Sequence, residues 1–415
     1  MKKGDRLLFW RRGAWGEQKA KGEKKVACPL FVVRLVIVAF LESLATILVE
    51  GAVYFFAHER LGFSNAMNLW LALAFGVVYV IGATSSGPLS RRLGERRTLL
   101  AAAVAQVAVF AALALSPTTG ALFAGNVAMG LLFGLKWPVI ESYFSAGYPP
   151  RETAKAVGRF NISWAAALPV ALAMAGPLIA WRDQDWALFA AGGAVALVNL
   201  LLIAPLPPRP EHLPADHPAR PAPQEVRRLG HLLTAARWLM LAAYSSMWIL
   251  RTLMPGIFSG LEVEVSAATA LSGLLDVARV GTFIVLGFWT AWHGRRVGLV
   301  RSMVLLSGGF LMVLFGGDLA TVLVGELVFG WATGEIYYAS LYYGMVAQNA
   351  SVEAGGGHER MIGLGFAIGP AAGLIGVAMR PLLGGELLGV LAVAGLLLAA
   401  CFLQASRALV RIGGR

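Results

Sequence analysis

The residues able to do chemistry in this chain are charges set inside long apolar runs. Arg34, Glu42 and Glu50 share one run, Lys136 and Glu141 another, Arg237 and Arg251 a third, Asp276 and Arg279 a fourth, and Glu326 and Glu335 a fifth. A charge at membrane depth costs ~2.5–3.5 kcal/mol on insertion scales, so it faces a cavity, a counter-charge or the headgroups. A carboxyl lining a cavity can take up and release a coupling proton, and a nearby Lys or Arg lets proton, solute and cation compete for it. Glu42 and Glu50 stand eight apart, on one broad helix face. Glu335, Tyr338 and Tyr342 follow i, i+3, i+7 spacing, with Tyr337 and Tyr343 beside them, and Trp137 adjoins Lys136. Aromatic faces with hydroxyls suit a polar organic solute. The expected solute and proton site is therefore Glu42, Glu50, Lys136, Trp137, Glu141, Arg251, Asp276, Arg279, Glu335, Tyr338 and Tyr342. Plainer roles compete for some of these positions. Arg34 and Arg237 can snorkel to the headgroups. Asp276 and Arg279, three apart, can neutralise each other. Glu326 can be a rim group, and Tyr342 with Tyr343 can belong to an interfacial belt.

Other chemistries lack their residues. No Gly-x-x-x-x-Gly-Lys-Ser/Thr phosphate loop and no Gly-x-Ser-x-Gly elbow occurs. The six histidines (His58, His212, His217, His231, His293 and His358) show no metal pairing, and Cys28 and Cys401 form no metal or disulfide framework. The expectation is a chain with no cofactor, no metal and no enzymatic activity.

The elements that hold these charges are membrane helices. Hydrophobic residues make up 58% of the 415, charged residues 14%, and mean hydropathy is +0.69. A soluble domain sits nearer a quarter charged. Runs of about 20 apolar residues recur, the length that crosses ~30 Å of hydrocarbon as a helix. Twelve spans are expected, at 29–57, 67–90, 97–117, 120–146, 154–180, 184–206, 232–257, 266–291, 298–316, 319–347, 359–380 and 384–406. No alternating strands point to a barrel. Seven prolines between Pro207 and Pro223 mark an extended linker between spans 6 and 7.

Of 35 Lys and Arg, 27 fall in the N-terminal segment, the even-numbered loops and the C-terminal tail, against three in the odd loops. That asymmetry places both termini in the cytoplasm of a plasma-membrane protein and accounts for the net charge of +12 without nucleic acid. The expected organisation is a basic segment 1–28, a six-helix bundle 29–206, the linker 207–231, a second bundle 232–406 and a tail 407–415. Trp10 and Trp15 among lysines and arginines read as an anchor on anionic lipid. The run after the basic segment is too long for a signal-peptide core and reads as a retained helix.

An internal offset of 200–201 residues relates Gly87 and Gly94 to Gly287 and Gly294, Gly134 and Tyr143 to Gly334 and Tyr343, and Pro169 to Pro370. Parallel repeats of this kind are one transporter plan. With its twelve spans and its loop Gly87-Pro88-Leu89-Ser90-Arg91-Arg92-Leu93-Gly94-Glu95-Arg96-Arg97, the chain resembles the major facilitator superfamily. That family's loop reads roughly Gly-x-x-x-Asp-Arg-x-Gly-Arg-Lys. Arg91 stands at the Asp position, while Gly87, Arg92, Gly94 and Arg96 match, and Gly287, Gly294 and Arg295 repeat the pattern, again without the Asp. The resemblance implies an all-α membrane fold of two pseudo-symmetric six-helix bundles, with spans 1, 4, 7 and 10 around a central cavity and spans 3, 6, 9 and 12 facing lipid. It also implies that the Asp which helps lock the cytoplasmic gate is missing here. Pro169, Gly176, Pro177, Gly369 and Pro370 read as helix kinks. The expected function is a monomeric carrier of a small organic solute, proton-coupled or facilitative, working by alternating access. The alternatives are a transporter-like sensor or scaffold, and a lipid-handling protein.

Overall fold

The computed structural model describes residues 29–148, 150–181, 184–212, 223–348 and 350–413. Ten helices among them are long and apolar enough to cross a membrane. They are α1 (Leu30–Leu61), α2 (Asn65–Leu93), α3 (Glu95–Leu115), α4 (Thr119–Ser145), α5 (Lys155–Ala180), α8 (Val265–Phe288), α9 (Val297–Phe315), α10 (Leu319–Ala347), α11 (Val352–Ala378) and α12 (Glu386–Arg411). Two more complete the set. The apolar helix α6 (Ala187–Ile203) has 17 residues, about 26 Å at 1.5 Å per residue. The helix α7 (Pro223–Gly260) has 38. No strand occurs among the described residues. The anchor expected around Trp10 and Trp15 lies outside them.

Local signals start several helices. Ser64, Thr118, Asp318 and Ser351 cap α2, α4, α10 and α11 by accepting the backbone N–H three residues on. Thr118 and Asp318 obey the 200-residue offset. So do Gly94 (φ +88°) and Gly294 (φ +70°), which turn the chain in a backbone region that side chains resist. Two starts fall earlier than expected. The helix α7 begins at Pro223 rather than 232, and Ser351 starts α11 at Val352 rather than 359.

Packing sorts the helices. Of the ten apolar helices, α12 buries the smallest share of its surface, and α3, α8 and α9 follow, whereas α1, α4, α5 and α10 are more than half buried. Side chains such as Val104, Leu201, Val304 and Leu396 point outward, toward lipid. Close packing between helices relies on missing side chains. A Cβ at Gly376 of α11 would lie 2.5 Å from Val390 Cα on α12. The expected kinks are also close contacts. A Cβ at Gly176 would stand 2.6 Å from Ser266 Cα on α8, and one at Gly369 would stand 2.8 Å from Ser245 Cα on α7.

Gly376→Val is expected to force α11 and α12 apart and cost about 1–3 kcal/mol, the usual range for overpacking. A thermal midpoint in detergent equal to the parent's would contradict this packing.

Candidate functional site

The expected site residues separate into four groups. The first is an ion pair sealed inside α1–α6. Lys136 pairs with Glu42, and both are essentially inaccessible. The ammonium also donates to Gln106 of α3, and Asn199 of α6 donates to Glu42 Oε2 at 2.9 Å. Neither member of the pair lines the central cavity, contrary to expectation. The reason is local. Ile47–Gly51 is π-helical, and the inserted residue shifts the helix register. Glu42 therefore points into the bundle, while Glu50 reaches the cavity.

The second group is the cavity, about 100 Å³ in volume, lined by α1, α2, α4, α5, α7, α8, α10 and α11. Three of those helices, α2, α5 and α11, carried none of the expected solute-site residues. Nine aromatic rings line it, among them Phe75, Trp137, Trp164, Trp248, Tyr337 and Phe366. Its charges are Glu50, Glu359, Arg251 and Arg279. Asp276 lies behind the arginines and bridges them, at 2.6 Å from Arg251 Nη2 and 2.9 Å from Arg279 Nη1. The neutralisation foreseen for Asp276 and Arg279 is thus incomplete, because one carboxylate serves two guanidinium groups. Arg279 also donates to the Tyr244 hydroxyl at 2.9 Å and sits 4.9 Å over the Trp164 ring. Both arginines keep a buried Nε–H without a partner. Such donors recognise a carboxylate. Among the described residues Glu50 makes no hydrogen bond or ion pair.

A third group lies away from the cavity. Glu335 binds Arg301 at 2.8 Å and Ser302 at 2.8 Å, both on α9. Tyr338 and Tyr342 pack with Trp292 at centroid distances of 5.4 Å, and His293 stacks on Tyr342 at 4.4 Å. Tyr337, passed over in favour of its neighbours, lines the cavity instead. Glu326, read as a rim group, is fully buried. His293 lies in the loop before α9, and burial there pushes its imidazole down to about 4.

The fourth group closes the ends. At the Gly94 end Arg91 forms an ion pair with Glu353 of α11, and Ser142 donates to Ala350 O at 3.0 Å. The position where the family carries Asp thus still pairs across the interface, with its polarity reversed. Gly87 lies under the same Glu353, while Arg96 donates to Leu206 O at 3.1 Å. Arg92 and Arg295 are exposed. At the opposite end Asn65 donates to Glu386 at 2.8 Å, and Asn68 donates to Tyr54 O at 3.2 Å and Thr252 O at 3.4 Å. Glu141 belongs to none of these groups. It sits between α4 and α11, against Glu359 and His358. Sequence reading missed both partners, because a span begun at 359 left His358 outside and Glu359 at its very edge, although Ser351 was a readable N-cap.

The family model for the Major Facilitator Superfamily matches residues 35–377. The human organic anion transporter MFSD10 (TETRAN) superposes with a TM-score of 0.63 at 16% identity, covering 90% of this chain and 98% of that one. The nucleoside transporter NupG gives 0.62 at 13% identity, over 93% and 99%. Both likenesses concern the fold. The fatty acid resistance protein FarB of Neisseria gonorrhoeae is 26% identical over 163 residues, 39% of this chain and 31% of that protein's length.

Two outcomes follow from the groups outside the cavity. Lys136→Met alone strands the Glu42 carboxylate and should cost about 3–5 kcal/mol, whereas Lys136→Met with Glu42→Met should recover most of it. Equal losses in single and double variants would show that the pair is not the stabilising element. The second concerns pH. Native His293 stays neutral down to about 4, whereas the unfolded chain protonates it near the ordinary ~6.5. Its contribution is complete above the unfolded value and is lost as pH falls through that window. His293→Gln should flatten the decline of the thermal midpoint between about pH 6.5 and 4, and an unchanged slope would assign the decline elsewhere.

Proposed function

The chain belongs to the Major Facilitator Superfamily, and on that premise we propose that it carries a small amphipathic organic anion by alternating access, coupled to a proton. It is a membrane transporter of small solutes rather than an enzyme. The observation that carries the proposal is the small cavity, closed at both ends by separate sets of contacts and lined by aromatic rings around two guanidinium groups. Opening toward one side breaks the Arg91–Glu353 and Ser142–Ala350 contacts. Opening toward the other breaks those of Asn65 and Asn68. In this reading the moving bodies are the bundles 29–206 and 232–406, joined by the Pro-rich linker 207–231, whose part from Pro223 onward already belongs to α7.

The cavity chemistry supports the choice of cargo. Arg251 and Arg279 share one carboxylate, leaving an excess positive charge at the cavity wall for an anionic group. The rings supply an apolar wall for the rest of the solute. The names of the fatty acid resistance relative and of the organic anion transporter agree with an amphipathic anion. Glu50 is the proposed proton carrier, because it faces the cavity and no cation holds it. Glu42, which shares its helix, is already occupied by Lys136. The basic Gly94 end faces the cytoplasm of a plasma-membrane protein, which acts as a monomer.

The test is uptake of radiolabelled octanoate and benzoate into proteoliposomes with and without a pH gradient. Arg251→Gln is expected to lower uptake by at least about tenfold, equivalent to ~1.4 kcal/mol. Glu50→Gln is expected to abolish the response to the gradient while leaving exchange of internal for external solute. Uptake indifferent to both substitutions would sink the assignment, and uptake of neither acid would remove the proposed class of solute.

A further inference from the structure

Where α4 meets α11, Glu141, His358 and Glu359 are all buried, and their ligand-capable atoms lie within 4.8 Å of one another. Among the described residues no side chain from another helix donates to the Glu141 oxygens, whose one neighbour within hydrogen-bonding reach is the Glu359 carboxyl, and the Nε2 of His358 has no partner. No Lys or Arg among the described residues forms an ion pair with either carboxylate. Tyr79 of α2 donates to Glu359, and Arg237 lies near His358 without bonding to either acid. Two carboxylates facing each other in an apolar interior are costly until a shared proton or a metal cation joins them. The interface is also shaped for this contact. The run Gly355-Gly356-Gly357 leads into His358, and a Cβ at Gly355 would lie 2.5 Å from Glu141 Oε2 and 3.0 Å from Pro138 Cα. Only glycine lets α11 come this close to Glu141.

His358 is held as metal-binding imidazoles are held. Its Nδ1 bonds to Ser340 Oγ of α10 at 3.1 Å, which orients the ring and leaves Nε2 free. Two carboxylate oxygens and an imidazole nitrogen suit borderline divalent ions of the first transition row. Glu359 and Tyr79 also line the central cavity, so an ion has a route to the cluster.

We propose that Glu141, His358 and Glu359 form a divalent metal site between α4 and α11 that accepts Zn²⁺ or Mn²⁺. The sequence shows no metal spacing because the ligands come from helices more than 200 residues apart. A bound ion ties the two helices together and disfavours opening at the Gly94 end. That consequence rests on the alternating-access reading above, whereas the binding does not.

The experiment uses the full chain, purified in detergent and stripped with chelator. Mn²⁺ binding is followed by electron paramagnetic resonance, and Zn²⁺ by displacement of Mn²⁺. One ion per chain is expected, with affinity lowered at least about tenfold in Glu141→Gln and in His358→Gln, and by 10–100-fold in Ser340→Ala, as for a residue that only orients a ligand. Glu264→Gln, at an exposed site, should bind as the parent does. The metal-free thermal midpoint of each variant checks that it is folded. No saturable binding by the folded parent overturns the site, as does binding that Glu141→Gln and His358→Gln leave intact. Metal binding is read without transport, so failure of the carrier assay leaves this result standing, and the reverse holds too.

Discussion

Hydrocarbon does not solvate charge, so each ionisable group between these helices must meet a counter-charge, a polar partner or the cavity. The arrangement follows that constraint closely. Lys136 and Glu42 satisfy each other with help from Gln106 and Asn199. Asp276 serves Arg251 and Arg279, and Arg301 serves Glu335. What remains after this pairing is the informative part. Among the described residues, Glu50 stays unpaired at the cavity, Glu141 with the His358 Nε2 finds no cation beside it, and Glu326 and the two arginine Nε–H groups stay buried without a side-chain partner.

Close helix approach is the second constraint, and glycine meets it. Gly176 sets α5 on α8, Gly369 sets α11 on α7, and Gly355 sets α11 on Glu141 of α4. Two of these contacts, those of Gly176 and Gly355, join α1–α6 to α7–α12. A helix pair that meets without side chains between them can slide or part with little repacking, which suits a carrier whose ends open in turn. The expectation of kinks at Gly176 and Gly369 therefore gains a second function at the same positions, that of contact surfaces.

The small cavity and the two closed ends belong together. A volume of about 100 Å³ is below that of a pocket for a drug-sized ligand, as suits a cavity whose two ends are both held by contacts. The Arg91–Glu353 pair is largely exposed, so it contributes little stability by itself. It is suited to a contact that must form and break in each cycle.

Much was legible in the residues alone. Apolar length and loop charge yielded the membrane class, the helix number and the family resemblance, because crossing a bilayer constrains composition directly. The repeat was legible too, since Gly94 and Gly294 answer the same backbone demand. The list of charges inside the membrane was nearly complete, but not their partners. Glu42 and Glu50 looked equivalent until a π-helical turn separated their faces, and Tyr337 lines the cavity where Tyr338 and Tyr342 do not. Glu359 stood at the first position of the expected span and His358 just outside it. Sequence determines which charges lie in the membrane, because that cost is local to each helix. Only the tertiary structure decides which of them remain unpaired, because pairing depends on helix register and on neighbours far away in the chain.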